Sequence, residues 1–247
     1  MRAKVVLCLA AMVLGLCVSA AGREIRLPAE AAIGGKVIIA EWFYEQVDRD
    51  TVIPREFQAW PGSRGIHDSD WFDVRIVASP GDVILLAPGA YVADVWVFTA
   101  GVTIKTEGDT EALATIHGSL EVDADRILLE RVAVIGNDGH GIEINREVVR
   151  HITLRGCLSA DNLWVGIHLI GAKGTIAEYR IEDCVVTGNG WDGIDARHTT
   201  RLVLSGNTIT GNGHAGVYIE SYVEHVELDG NAISGNGTGD VVYKYGS

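Results

Sequence analysis

The chain has 247 residues, of which 47% are apolar and 21% charged, and a formal charge of −13. That apolar share is enough for a continuous core in one elongated domain. The acidic balance argues against nucleic acid and anionic membranes as partners, and against acidic polysaccharides unless Ca²⁺ or a local basic patch intervenes.

Residues 1–22 read as a signal peptide. Arg2 and Lys4 form a basic start, Val5 to Val18 is an apolar run too short for a comfortable span, and Val18-Ser19-Ala20 fits a small-residue cleavage site. Leu16 before Cys17 and Leu7 before Cys8 argue against lipidation. The expectation is a soluble secreted or periplasmic product. The leader holds two basic residues and no acid, so its removal takes the charge from −13 to −15.

Residues 23–80 lack the pattern of the rest and read as a cap segment over the first coil. They hold Trp42, Trp60 and Trp71, an AEWFYEQV stretch at 40–47 that suits a short helix or a strand, and Pro54, Pro61, Gly62 and Gly65, which mark irregular structure. His67, Asp68 and Asp70 are a weak metal-binding candidate, since one short polar loop is not a full ligand set. A turn at Pro80-Gly81-Asp82 then opens a run of buried strands. Val102 lies 25 residues before Ile127 and takes the same register, and Thr115 to Val122 supplies the intervening strand.

From Ile127 to Asp240 one unit is written five times, closing on Asn137, Asn162, Asn189, Asn212 and Asn236. The steps between these asparagines are 25, 27, 23 and 24 residues, a period that means a stack of similar turns of chain. Ten and eight residues before each Asn stand apolar pairs such as Ile127 and Leu129, Ile152 and Leu154, Leu202 and Leu204. Inward and outward positions alternate with period 2, which is a strand. A second short strand follows each Asn by four residues, at Gly141, Gly166, Gly193 and Gly216, with Asp240 in that position of the last copy. Stacking such coils superimposes equivalent side chains. The asparagines are then a structural ladder, passing amide hydrogen bonds from coil to coil.

This pattern resembles the right-handed parallel β-helix repeat of the pectin-lyase-like superfamily over roughly residues 81–243, within a β-helix domain taken as 81–247. The PGD turn, apolar strand and PG-x-Y turn resemble the first coils of many secreted members. The resemblance implies an all-β fold, a right-handed parallel β-helix with an irregular N-terminal cap. It implies no single activity, because the architecture serves lyases, hydrolases, epimerases, esterases, phage tail fibres and non-catalytic surface proteins. Gly139-His140-Gly141 matches the GHG of polygalacturonases, but that family's NTD, paired-aspartate and RIK motifs are missing at the matching places. Asp138-Gly139-His140 resembles the DPH of mannuronan epimerases with Gly for Pro.

After the leader only Cys157 and Cys184 remain, in one inward column of adjacent coils. Parallel Cβ vectors about 4.8 Å apart favour two buried free thiols over a disulfide. Asn207 and Asn231 follow in that column and predict a second internal ladder.

A coil stack has no interior pocket, so chemistry belongs on an outer face. The outward column of the strand after each Asn reads Glu143, His168, Asp195, Tyr218 and Val242. Two residues on come Asn145, Ile170, Arg197, Glu220 and Lys244, and just before the strand stand His140, Trp164, Trp191, Asp192 and His214. Indoles stack on sugar rings, and carboxylates and amides bind hydroxyls. His140, Trp164, Trp191, Asp192, His214 and Glu220 are therefore candidate substrate-binding residues. Glu143, His168, Asp195, Arg197 and Tyr218 are candidate catalytic residues.

Glu143 and Asp195 are two coils apart, roughly 9–10 Å between Cβ atoms, which overlaps the separation of an inverting glycosidase pair with His168 as proton relay. A lyase or epimerase uses the same residues otherwise. Arg197 or His168 serves as base or carboxylate neutraliser, Tyr218 as acid, and Asp192 and Asp195 as candidate Ca²⁺ ligands. The expected function is binding, and processing, of an extracellular polysaccharide. The alternatives are a non-catalytic carbohydrate-binding protein and a surface-scaffold or adhesin β-helix. The sequence leaves the oligomeric state open.

Overall fold

The computed structural model describes residues 22–29, 33–40, 45–48, 51–53, 57–61, 72–145, 149–171, 176–220 and 222–244. Leader residues 1–21, Trp42, Trp71 and the His67, Asp68, Asp70 cluster lie outside the described residues.

Each coil is a triangle of three short strands, and like strands of successive coils pair in parallel. The first face runs from Glu24–Leu27 through Val83–Leu86, Thr103–Thr106, Ile127–Glu130, His151–Arg155, Glu178–Glu182 and Arg201–Ser205 to His225–Asp229. The second includes Ala114–Ile116, Val132–Ile135, Leu158–Ala160, Val185–Thr187, Thr208–Thr210 and Ala232–Ser234. The third carries Leu120–Val122, Ile142–Asn145, Ile167–Ile170, Ile194–Arg197, Ala215–Glu220 and Gly239–Lys244. The long strand Gly89–Val97 bends around one corner and belongs to both the second and third faces.

The predicted register holds along the first face, where Ile127, Ile152, Tyr179, Leu202 and Val226 are successive partners. The single strand expected over Thr115–Val122 is instead two, Ala114–Ile116 and Leu120–Val122, on different faces. The turn at His117-Gly118-Ser119 divides them, with Asp94 accepting the Ser119 amide at 2.9 Å. The strand before each Asn is likewise two. A residue in the left-handed region breaks it at Arg131, Gly156, Asp183, Gly206 and Gly230, and another immediately precedes each ladder Asn. Of the two or three strands per coil that the repeat length allows, these corners give three.

The segment expected as a cap is also part of the stack. Glu24–Leu27 pairs in parallel with Val83–Leu86, and Ile33–Ala40 with Gly89–Val97, so both add rungs. Phe57–Pro61 pairs antiparallel with Phe72–Val77, which ends the parallel run at that edge. Within the 40–47 stretch Ala40 closes the strand Ile33–Ala40, and Glu45 opens the strand Glu45–Asp48. Asp82 fastens the first rung. Its carboxylate accepts the backbone amides of Arg23 at 2.7 Å and Ser79 at 2.9 Å and pairs with the Arg23 guanidinium at 2.7 Å.

Inside, Ile104, Leu129, Leu154, Ile181 and Leu204 stack in one file with Ile116, Val134, Val186, Ile142, Ile167, Ile194 and Val217 facing them. The asparagine ladder is continuous. Asn162, Asn189 and Asn212 each donate Nδ2 to the Oδ1 of the next Asn at 2.9 Å, while each Oδ1 also accepts the backbone amide of the Asn before it at 3.1 Å. Asn137 joins through its backbone amide and turns its own Nδ2 to the His140 carbonyl.

The ladder explains the glycine four residues on. A Cβ at Gly166 would stand 2.5 Å from the Asn189 amide nitrogen and 2.8 Å from the Gly193 carbonyl, and Gly141, Gly193 and Gly216 are confined in the same way. Asp240 occupies that column where no described coil follows it, so its side chain meets no such wall.

Cys157 and Cys184 are buried free thiols, with the Cys157 amide 3.3 Å from the Cys184 sulfur. Beyond them Asn207 Nδ2 donates to Asn231 Oδ1 at 2.8 Å, the expected second ladder. Among the described residues no helix is long and apolar enough to cross a membrane.

Candidate functional site

The register of the third face makes Glu143, His168, Asp195 and Tyr218 neighbours on consecutive strands. His168 lies between the two acids, with Nδ1 3.6 Å from Glu143 Oε1 and Nε2 3.9 Å from Asp195 Oδ2. Both separations exceed hydrogen-bond length. The column is also deeper than outward residues usually are: His168 is 7% exposed and Asp195 not at all.

Asp195 is committed to Arg197, two residues on. Arg197 Nε stands 3.0 Å from each carboxylate oxygen, and Nη2 is 2.5 Å from Oδ2. These bonds hold the guanidinium firmly charged, while its outer end reaches solvent.

Beside this column a row of rings climbs the stack. Trp164, Trp191 and His214 occupy one column, each donating its backbone amide to the carbonyl one coil back. The indole centroids are 6.3 Å apart, and Trp191 and His214 stack at 5.9 Å with planes 9° apart. Trp164 is 44% and Trp191 49% exposed. His140 sits one position further along its own coil, so its ring folds inward. It stacks on His168 at 4.1 Å and meets the Trp164 ring edge-on at 5.1 Å. Burial, and then the adjacent His168, hold the His140 imidazole below its ordinary range. Neither His140 Nδ1 nor His168 Nδ1, both buried, has a hydrogen-bond partner among the described residues.

The model of the right-handed β-helix region matches residues 177–247 of the chain. With three faces of parallel strands stacked coil on coil, the fold is settled. This is a right-handed parallel β-helix.

Among solved structures, the β-helix is similar to the following pair. One is the pectate lyase Pel9A, at 13% identity over 89% of this chain and 74% of that one, with a TM-score of 0.44. The other is the A-module of the Azotobacter vinelandii mannuronan C-5 epimerase AlgE6, at 16% identity over 95% and 73%, with a TM-score of 0.45. Comparison with curated proteins finds no match at the sequence level.

On the β-helix the candidate residues fall into three groups. His140, Glu143, His168, Asp195 and Arg197 form one contiguous cluster, with Tyr218 in register beside Asp195. Trp164, Trp191 and His214 form the exposed ring row. Asp192 departs from both. Its carboxylate points at the next coil and accepts the Ala215 amide at 2.8 Å, and burial pushes its carboxyl up. It therefore braces the turn rather than facing a ligand. The Asp192 and Asp195 pair expected to hold Ca²⁺ does not converge, because one acid is spent on that backbone amide and the other on Arg197. Glu220 faces His198, whose Nε2 is 3.6 Å from its Oε2. Between Glu143 and Asp195 an imidazole fills the space that an inverting pair keeps for water.

Three neighbours of the site escaped the sequence reading. Trp96 and Glu121 continue the Glu143 column on the preceding coils, Glu121 being the register partner of both Trp96 and Glu143. Those coils carry no ladder Asn from which to count, but the apolar pairs Val95/Val97 and Leu120/Val122 around them carried the signal. His198, stacked on Tyr222 at 5.1 Å, was missed because it lies beyond the end of the strand pattern.

Proposed function

We propose that the protein is exported and binds a polysaccharide lengthwise along its third face, with the acid–imidazole–guanidinium cluster as the place where a bound chain is processed. The observation that carries this reading is the row of exposed rings, Trp164, Trp191 and His214, one per coil. Large half-wet rings in a continuous row mark a binding surface, and the C–H faces of sugar rings are their natural partners. The backbone repeats at the coil pitch of about 4.8 Å, and the ring centroids it carries stand 6.3 Å and 5.9 Å apart. Glu143 and Glu220 flank the row and suit hydroxyl groups. The chain's acidic balance disfavours a polyanion except where a local cation such as Arg197 meets its carboxylates.

Among the cluster residues, Arg197 and Tyr218 are those a surface-bound chain can touch. Arg197 offers the free end of a fixed guanidinium to a uronate carboxylate, and Tyr218 can transfer a proton beside it. That assignment favours elimination or epimerisation over hydrolysis, since His168 occupies the gap a hydrolytic water needs.

A second reading, a non-catalytic glycan-binding β-helix, is favoured by the depth of Asp195 and His168, which no substrate atom on the surface reaches. A glycan array followed by titration of the best ligand tests the shared part. Trp191→Ala is expected to weaken binding about tenfold with no change in melting temperature. Unchanged affinity in both Trp164→Ala and Trp191→Ala refutes the surface. Appearance of unsaturated or epimerised product, lost in Arg197→Gln and Tyr218→Phe, separates the enzyme from the binder.

A further inference from the structure

Two side chains of one coil and one of the next converge at the end of the ring row. His140 and Glu143 are three residues apart, in the turn and on the strand that follows it. The register places His168 directly beside Glu143. A ligating nitrogen from each histidine and a carboxylate oxygen of Glu143 all lie within 4.8 Å of one another. We propose that His140, Glu143 and His168 bind a first-row transition-metal dication of the zinc class.

Three observations support the site independently of the glycan reading, which it goes beyond. The first is an unmet need. His168 is more than nine-tenths buried, its Nδ1 points at Glu143 from 3.6 Å without a hydrogen bond, and the neighbouring His140 Nδ1 is equally unpartnered among the described residues. Buried polar atoms normally find partners. A single cation would satisfy both imidazole nitrogens together.

The second is the fit. Bonds of about 2.0–2.1 Å in a tetrahedral site put ligand atoms about 3.3 Å apart. Glu143 and His168 already stand near that separation at 3.6 Å. His140 is half-buried on a turn and closes the remainder by rotating its ring out of the stack with His168.

The third is the support behind the ligands. His168 turns Nε2 towards Asp195, which is itself held by Arg197, and Asn137 donates to the His140 carbonyl and fixes the turn. A carboxylate behind a ligating imidazole, itself hydrogen-bonded, is the usual way a metal site orients its histidines.

The donor set identifies the class of ion. Two imidazoles and one carboxylate suit Zn²⁺ and its neighbours, whereas Ca²⁺ and Mg²⁺ take oxygen ligands. Three protein ligands leave a position for water or for an oxygen of a bound molecule.

The test is a cobalt titration of the tag-free protein after chelator treatment, followed by zinc competition. One equivalent of Co²⁺ should bind with the visible absorption of a tetrahedral site, be displaced by Zn²⁺, and resist millimolar Ca²⁺. His140→Ala, on the turn, and Glu143→Gln should each weaken binding at least about a hundredfold, while Arg155→Ala on the first face leaves it unchanged. Circular dichroism checks that each variant keeps the fold. Folded wild-type protein that binds no Co²⁺, or binding that survives both ligand variants, overturns the site. Neither result bears on the glycan array, which is run without metal.

Discussion

The first and third faces of this β-helix carry the same charge pattern with opposite outcomes. On the first face Glu130, Arg155 and Glu182 stand in register on three coils, and on the third Glu143, His168 and Asp195 do the same. Both are acid–base–acid files at the coil pitch. The first is open to water, and its Arg hydrogen-bonds one acid, Glu182, at 3.1 Å while standing 3.6 Å from Glu130. The third is enclosed, and its shorter imidazole comes within hydrogen-bond length of neither acid. A long, always-charged side chain makes a self-sufficient, screened ladder. A short, titratable one under cover leaves polar atoms unmet, and unmet polar atoms are where a ligand gains most.

The comparison breaks most completely if the scaffold beneath the third face is removed. Asn189→Ala takes away the Oδ1 that accepts both the amide and the side chain of Asn162, and the Nδ2 that reaches Asn212. With buried partners left unsatisfied on both sides, the expected loss is about 3–5 kcal/mol, read by urea unfolding.

Next come the two files themselves. Asp195→Ala strips Arg197 of its fixed partner inside the site and is expected to cost about 2–4 kcal/mol. Arg155→Ala is expected to cost less than about 1 kcal/mol, and less still in high salt. Equal costs for the two variants would mean that burial does not distinguish the files.

The smallest effect is in pH. At the edge of the first face, Asp82 and Asp125 lose hydration, but the Arg23 bonds for one and the His151, Arg150 and Arg126 amides for the other outweigh that loss and hold both below the usual carboxylate range. Their stabilisation is present above the unfolded value near 3.8 and is lost as pH falls through the lower folded values. Asp192 runs the other way: burial, and then Asp195, raise it, so the folded state holds the extra proton. Stability from that source is present below pH 3.8 and fades as pH rises through the folded value. Urea midpoints across the acid range should therefore show a shallower acid loss in Asp82→Asn and a steeper rise above pH 3.8 in Asp192→Asn. Slopes unchanged in both variants would count against these assignments.

Much of the architecture was legible because a solenoid writes its geometry repeatedly. The recurring Asn, counted back to Ile127, Ile152, Tyr179, Leu202 and Val226, yielded the first-face register, and Asn207 and Asn231 yielded the second ladder before any coordinate. What escaped was local and conformational. Arg131 breaks a strand by adopting the left-handed region, which its residue type does not announce, so the sequence left two or three strands per coil open. Glu24–Leu27 and Ile33–Ala40 join the stack without the asparagine that marks the later coils. Asp192 looked like a site acid because its column was counted with the tryptophans, one residue away.

By itself the sequence determined the coil period, the columns and the residues that share an outward line, since each follows from counting along a chain wound at nearly constant pitch. Tertiary structure alone decided which outward residues sink, which acid meets Arg197 and which meets a backbone amide. Depth and pairing depend on the side chains one coil above and below, and those lie more than twenty residues away along the chain.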